Sequence, residues 1–594
     1  MGKDSKTIVE PYLKKTDWRV RENSNSPFTY GGLSKYISGE VCKDYWLREV
    51  FPEHVTKAYL DSAIHPHDLG GLTIYCCGYS LKSILMMGVQ GVPNIPSSYP
   101  AKHFDSILNQ LANLVTVFQN EIMGAVAFNN VDTYLAPFIK ADGLSYKEIK
   151  QQLQNFIFSI NSNSRGGAEP AFTNITLDLT PSSDMLDEYC IVGGELTDFT
   201  YKDCQKEIDM FNRAFCELMI KGDSLGRPFA YPIPTYNIYD RFDWDNPNND
   251  LLWQMAGKYG YPYFANYIGS DLDPSDVRSM CCRLRLDLTE LKRRNGGLFG
   301  SGDSTGSVSV TTINLPQIGY LNKGCKESFF TALDEVLVTA KDCSEVRREW
   351  LQKNVVDNRL LPAFCTYVGT LDNHFSTIGL VGMNECCENF FKEGVDILSE
   401  EGKSFCLEIN EYIRNRLVDF QKETGHLYNL EATPAESTCF SLALKDRKKY
   451  PDIITRGTEK SPYYTNSCHI PVAKWGNLKQ VFDHQEELQV QFTGGTVIHI
   501  FTQTAISKES AKEIVKAVCE NYKVPYVSIS PLNRYCPVHG YVEQPVEECP
   551  ICNKPVQKYQ RITGYLRCVD NYNDGKKSEF NERTQLNIAI NGAL

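Results

Sequence analysis

The chain has 594 residues, 42% of them hydrophobic and 23% charged, and a formal net charge of -12. This balance describes a globular protein large enough for one big core with appendages, and the negative charge argues against a chain built to coat nucleic acid or an anionic membrane. No run of eighteen apolar residues occurs and the opening Met1-Gly-Lys-Asp-Ser-Lys-Thr7 has no signal-peptide character, so a cytoplasmic location is expected.

Taken in chain order, the first segment with a clear period carries Leu111, Leu114, Val115, Phe118 and Ile122 on one helical face. Residues 172–179, 307–314 and 496–501 read as strands, and 511–522 as a helix. Strands alternating with helices along most of the chain predict a large α/β body. Thr433-Pro434-Ala435-Glu436-Ser437-Thr438 reads as a helix start, with Thr433 capping, Pro434 in the first turn and Glu436 completing a capping box. Free N–H groups at such a start suit a phosphate, although most capped helices bind nothing.

The twenty-one cysteines are odd in number and, without a secretory signal, are expected to be reduced. Three vicinal pairs stand out: Cys76-Cys77, Cys281-Cys282 and Cys386-Cys387. Neighbouring cysteines bridge badly, and each pair alone reads as small buried hydrophobes. Cys536-Pro-Val-His539 and Cys549-Pro-Ile-Cys552 are different. Two such half-sites bring three thiolates and an imidazole to one tetrahedral ion, the closed arrangement of a structural zinc.

After these half-sites comes Arg561-Ile-Thr-Gly564-Tyr565-Leu566, which resembles the radical-glycine motif of glycyl radical enzymes. With the zinc half-sites ahead of it, the resemblance is to the anaerobic, class III ribonucleoside-triphosphate reductases. It extends over nearly the whole chain through Glu22-Asn-Ser-Asn25, His67-Asp-Leu69, Tyr75-Cys76, residues 161–165, Pro232-Ile-Pro-Thr-Tyr-Asn237 and Met280-Cys-Cys-Arg283. Further on it runs through Thr311-Thr-Ile-Asn-Leu-Pro316, Phe375-Ser-Thr-Ile-Gly379, Thr433-Pro-Ala-Glu436, Tyr464-Thr-Asn-Ser467 and Gly494-Gly-Thr496.

The resemblance implies a ten-stranded α/β barrel with a central finger loop over residues 1–530, a zinc-binding module over 531–560, and a glycyl radical loop and tail over 561–594. It implies that Gly564 stores the radical, that Cys282 at the finger tip becomes the thiyl radical that takes the substrate's 3'-hydrogen, and that Cys76 on the facing strand donates hydrogen as the 2'-hydroxyl leaves. A glycine suits the storage role because nothing beyond the backbone obstructs close approach. The residues 433–438, with Thr433, Ala435, Glu436, Ser437 and Thr438, would hold the substrate triphosphate, and Asn314, Asp303 and Ser304 would supply polar contacts. Formate is the expected reductant, since Cys76 has no second matched barrel cysteine; Cys77 and Cys568 keep a redoxin route open. A separate radical-SAM activase would bring S-adenosylmethionine and a 4Fe-4S cluster, because this chain has no C-x3-C-x2-C motif. A homodimer with a dNTP or ATP effector site is expected, the 111–122 helix being the candidate interface, with a plain core helix as the equal alternative. The match starts by Trp18, so an N-terminal ATP cone is not expected. Two other readings stand beside this one. A glycyl radical enzyme of the pyruvate formate-lyase or dehydratase kind would lack the zinc half-sites and the phosphate loop. A zinc-ribbon nucleic-acid-binding protein would need a basic patch.

Overall fold

Short strands with little alternation build the centre of the fold. The computed structural model describes residues 4–22, 28–93, 95–162, 170–271, 304–562, 564, 566–584 and 586. In chain order the strands are β1 (Ile64–Pro66), β2 (Cys76–Gly78), β3 (Val126–Phe128), β4 (Thr173–Leu177), β5 (Tyr189–Val192), β6 (Glu195–Thr200), β7 (Ile233–Ile238) and β8 (Tyr263–Asn266). They continue as β9 (Gly306–Asn314), β10 (His374–Val381), β11 (Leu427–Glu431), β12 (Arg456–Gly457), β13 (Pro462–Tyr463), β14 (Ile498–Thr502) and β15 (Tyr526–Pro531). A last group is β16 (Asn533–Cys536), β17 (Gly540–Val542), β18 (Gln557–Arg561) and β19 (Leu566–Cys568).

Ten strands follow one another in the main sheet as β11-β10-β9-β2-β3-β4-β7-β8-β15-β14, with β1 pairing on β9. Neighbours are parallel except at two seams, β2 against β9 and β8 against β15. The sheet is therefore two parallel five-stranded halves of opposite sense. The path closes where β11 meets the segment before β14: Ala432 N donates to the Gly495 carbonyl at 2.7 Å and Gly494 N to the Leu430 carbonyl at 2.6 Å. Every residue of β9 and β10 is buried, as expected for parallel strands covered on both faces. At the β2/β9 seam Gly306 is required by space, since a Cβ there would sit 2.1 Å from the Cys76 carbonyl.

The predicted helix at 111–122 is the helix Phe104–Gln119, which ends before Ile122. Leu111, Leu114, Val115 and Phe118 are all buried in the chain's own core, so this face is not available as a dimer interface. Of the two readings of this stripe, an interface or a plain core helix, the structure has the core helix. Among the described residues no helix is long and apolar enough to cross a membrane.

One buried group makes a stability prediction. His374, opening β10, is fully buried with neither ring nitrogen hydrogen-bonded, and burial plus the neighbouring Arg348 cation lower its pKa from 6.5 to about 3. The unfolded chain takes up this proton first. Stability is thus fully present above pH 6.5 and is lost by about 1.4 kcal/mol per pH unit as pH falls toward 3. Denaturant titrations at pH 6.5 and 4.5 should show a smaller acid loss for His374→Phe than for the parent.

Candidate active site

Because the two halves of the sheet run oppositely, the N-terminal ends of β2, β3, β4 and β7 open on the same side as the C-terminal end of β11. A cavity of about 680 Å³ lies at this mouth, lined by Tyr75, Gly124, Phe172 and Tyr231 from the first half and by residues 433–438 from the second. Cys76 opens β2 and is buried against Ala125, Ala127, Phe375 and Leu427; Tyr75 and Phe172 pack against the same cluster and line the cavity, which Cys76 itself does not. The next residue, Cys77, alternates to the other face and packs in the outer core, where burial pushes its thiol pKa far up.

The helix after β11 starts differently from the sequence reading. It runs Glu436–Lys449, and its N-cap is Ala435 in the left-handed region (φ 44°), with no side-chain capping bond. Thr433 is not the cap, because its hydroxyl is turned to Thr312 Oγ1 at 3.4 Å. Glu436 does not complete a capping box, because its carboxylate pairs with Arg567 at 3.2 Å. No side chain of the N-cap residue covers the start of the helix at the cavity edge, which suits an anion better than a capped start would. A non-glycine residue at positive φ is the kind of local strain that collects at binding sites. Ser437, Ser441 and Lys445 line the cavity from one face of this helix, a polar i, i+4, i+8 stripe that the sequence carried openly.

Two lining residues had no assigned role in the sequence. His65 and His67 stand on and beside β1, their rings 5.1 Å apart. His67 Nε2 meets Thr312 Oγ1 at 2.7 Å, and its carbonyl accepts from Arg347 Nη1 at 2.9 Å. Burial and the Arg347 charge hold its pKa down to about 4, so the ring is neutral near pH 7.

Other expected residues fall elsewhere. Asn314 is fully buried, donates to the Ser62 carbonyl and to Asp446 Oδ2 at 2.9 and 2.7 Å, and caps the helix Leu315–Leu321. Its amide is committed to the scaffold and it does not line the cavity, so it is not a substrate contact. Ser304 precedes β9 and is also absent from the cavity wall. Cys282 and Asp303 lie outside the described residues.

Gly564 lies in the connection between β18 and β19, whose last pair is Arg561 with Leu566. It is buried, and its carbonyl accepts hydrogen bonds from Tyr263 Oη and from Arg561 Nη1 at 3.0 Å. The Arg561 guanidinium lies 4.1 Å from the Tyr263 ring centroid and donates to the carbonyls of Gly260 and Tyr261. From the other side Arg583 donates to the carbonyls of Arg561 and Ile562 at 2.9 and 2.8 Å. Arg583 is itself held by Glu579 at 2.9 Å; burial alone would raise that carboxyl's pKa, but Lys576 and Arg583 keep it low. Arg567, three residues after Gly564, reaches the cavity wall. Arg561→Met would strip donors from buried carbonyls, at about 1–3 kcal/mol each. Amides of residues 560–568 should then exchange with solvent much faster, as read by hydrogen-exchange mass spectrometry.

Cys536, His539, Cys549 and Cys552 come together as the sequence implied, their ligand atoms all within 4.8 Å of one another. Cys536 ends β16, His539 precedes β17, and the other two lie in the connection to β18. The Val538 N–H donates to Cys536 Sγ at 3.4 Å, the turn geometry of a metal knuckle. Three thiols and an imidazole at this spacing fit zinc with no position left for water. The cluster around them is small: Cys536, Val542 and Cys549 are buried, with Val546, Cys552 and Val556 partly buried beside them.

The model of the anaerobic ribonucleoside-triphosphate reductase family matches residues 22–585. The chain belongs to that family. The anaerobic ribonucleoside-triphosphate reductase of Escherichia coli strain K12 is 25% identical to it, over 92% of this chain and 80% of that protein. The reductase of Enterobacteria phage T4 is 23% identical, over 97% and 94%. The crystal structure of the anaerobic ribonucleotide reductase from Thermotoga maritima in complex with dATP and CTP shares the fold, with a TM-score of 0.74 at 21% identity over 96% of this chain and 94% of that one. As an anaerobic ribonucleoside-triphosphate reductase the chain is an oxidoreductase, and the other two readings of its sequence fall away.

Proposed function

We propose that this reductase makes 2'-deoxyribonucleoside triphosphates by radical chemistry in the barrel mouth, with Gly564 as the stored radical, Cys282 as the thiyl radical and Cys76 as the hydrogen donor. The observation that carries the reading is proximity: the connection holding Gly564 runs straight into Arg567 on the wall of the cavity that residues 433–438 also line. The thiyl radical takes the 3'-hydrogen and the 2'-hydroxyl leaves as water with a proton from the Cys76 thiol; formate then supplies two electrons and one hydrogen, leaving as carbon dioxide, so that C2' gains a hydrogen through Cys76, and the 3'-hydrogen returns from Cys282 at the end.

Formate as electron source, leaving as carbon dioxide, is supported by the strand geometry. Cys77 packs on the opposite face of β2 from Cys76, and the Cys568 thiol is turned to Asp570, which leaves Cys76 without an evident partner for a dithiol route. A separate activase with a 4Fe-4S cluster and S-adenosylmethionine would generate the radical, and zinc on Cys536, His539, Cys549 and Cys552 would fix the base of the β18/β19 hairpin. On this reading residues 1–530 are the catalytic body, 531–560 the zinc module and 561–594 the radical loop and tail. Allosteric choice of substrate by a nucleotide effector is supported by the relative crystallised with dATP and CTP, and a homodimer completes this reading.

Anaerobic assays with activase, one ribonucleoside triphosphate and carbon-13 formate should yield deoxynucleotide and labelled carbon dioxide in equal amounts. Turnover driven by a dithiol with no labelled carbon dioxide would overturn the formate step. Cys76→Ser should form no deoxynucleotide, yet still exchange the substrate's 3'-hydrogen with solvent through the intact Cys282.

A further inference from the structure

The cavity wall opposite residues 433–438 is built by the helix Tyr30–Tyr45, which contributes Lys35, Glu40 and Lys43. Several charges here are already balanced: Arg19 is paired with Asp17 and, at 2.7 Å, with Glu40, and Arg567 with Glu436. Lys43 and Lys445 are not. Their ammonium nitrogens sit 5.4 and 4.8 Å from the centroid of one and the same ring, Tyr59, and among the described residues no carboxylate comes within ion-pair distance of either. His65 stands 6.0 Å from that ring, with a buried Nδ1 that has no hydrogen-bond partner. Two like charges converging on one buried ring repel each other, and burial followed by the Lys43 charge lowers the Lys445 pKa. Such a pair is costly without an anion between its members and favourable with one.

The spacing suggests which anion. Lys445 lies eight residues beyond Ser437, about 12 Å of helix rise, and a side chain on a helix leans back toward the N-terminus, which recovers roughly half of that distance. The ammonium therefore stands short of the helix start by about the length of a polyphosphate, not at the helix start itself.

We propose that Lys43 and Lys445, with His65 beside them, form a subsite for the terminal phosphate of the bound nucleotide and so select triphosphates over diphosphates. This rests on the reading that residues 433–438 hold the inner phosphates. A diphosphate seated on the helix start ends before it reaches the pair and leaves the repulsion in place.

Calorimetric titration of the full-length, unactivated protein with CTP and with CDP tests this without any turnover. The parent should bind CTP about tenfold or more tighter than CDP, the discrimination of one charge-assisted contact. Lys43→Met and Lys445→Met keep the aliphatic stem on Tyr59, and each should weaken CTP by about tenfold while leaving CDP within about twofold. Lys43→Arg should restore most of the CTP affinity, which a variant harmed in folding would not allow. Ser437→Asp places a negative charge at the helix start and serves as the control for the underlying reading. If it leaves both nucleotides unaffected, the phosphate loop is wrongly placed. If it abolishes both, yet the lysine variants weaken CTP and CDP equally or not at all, the terminal-phosphate subsite alone is refuted.

Discussion

Gly564→Ala protein is expected to fold, to bind nucleotide and to show no radical and no turnover after anaerobic activation. The effect should be complete rather than graded, because an alanine has the same backbone but places a methyl group on the carbon that must become planar, inside a buried turn gripped by Tyr263, Arg561 and Arg583. The parent enzyme offers a second readout of the same residue. Exposure of the activated protein to air should cut the chain at Gly564 and release the thirty residues that follow it, visible by mass spectrometry. That fragment contains Arg583 and the helix Asp574–Glu582, so the cut also removes the clamp on the Ile562 carbonyl. Cleavage elsewhere, or full activity in the alanine variant, would remove Gly564 from the mechanism.

Removal of the metal is expected to have the second largest effect. β16 begins two residues after the barrel strand β15 ends, and β18, which leads into the connection holding Gly564, pairs with β16. Without an ion the four ligands lose their common partner, and the small cluster around Cys536, Val542 and Cys549 is not expected to hold the loop between β17 and β18. The barrel has its own large core and should stay folded. Chelated protein or Cys549→Ala should therefore bind nucleotide normally and fail to form the glycyl radical. A normal radical yield without metal would contradict this coupling, and loss of nucleotide binding would show that the metal supports the barrel as well.

What the sequence disclosed follows from which interactions are local. The clustering of Cys536, His539, Cys549 and Cys552 is legible because their spacing is set by turns a few residues long. Strand β9 was legible as a strand from its β-branched residues, but its burial on both faces removed the alternation that would have told inside from outside. The stripe of Leu111, Leu114, Val115 and Phe118 shows the opposite limit: a helical period says that a face is covered, not by what. Thr433 and Glu436 had the residue types of a capping box, but tertiary partners Thr312 and Arg567 took both side chains. Asn314 was misplaced for a similar reason, its amide being spent on Ser62 and Asp446. Lys43 and Lys445 could not be paired from sequence at all, since only the fold brings both to Tyr59.

The most direct test of the central claim is electron paramagnetic resonance on protein activated anaerobically by its radical-SAM partner, prepared once with ordinary glycine and once with glycine carrying carbon-13 at the α-position. The account requires a carbon-centred signal whose splitting broadens with the label and which is absent from Gly564→Ala. A signal that ignores the label, or that persists in the alanine variant, would contradict it.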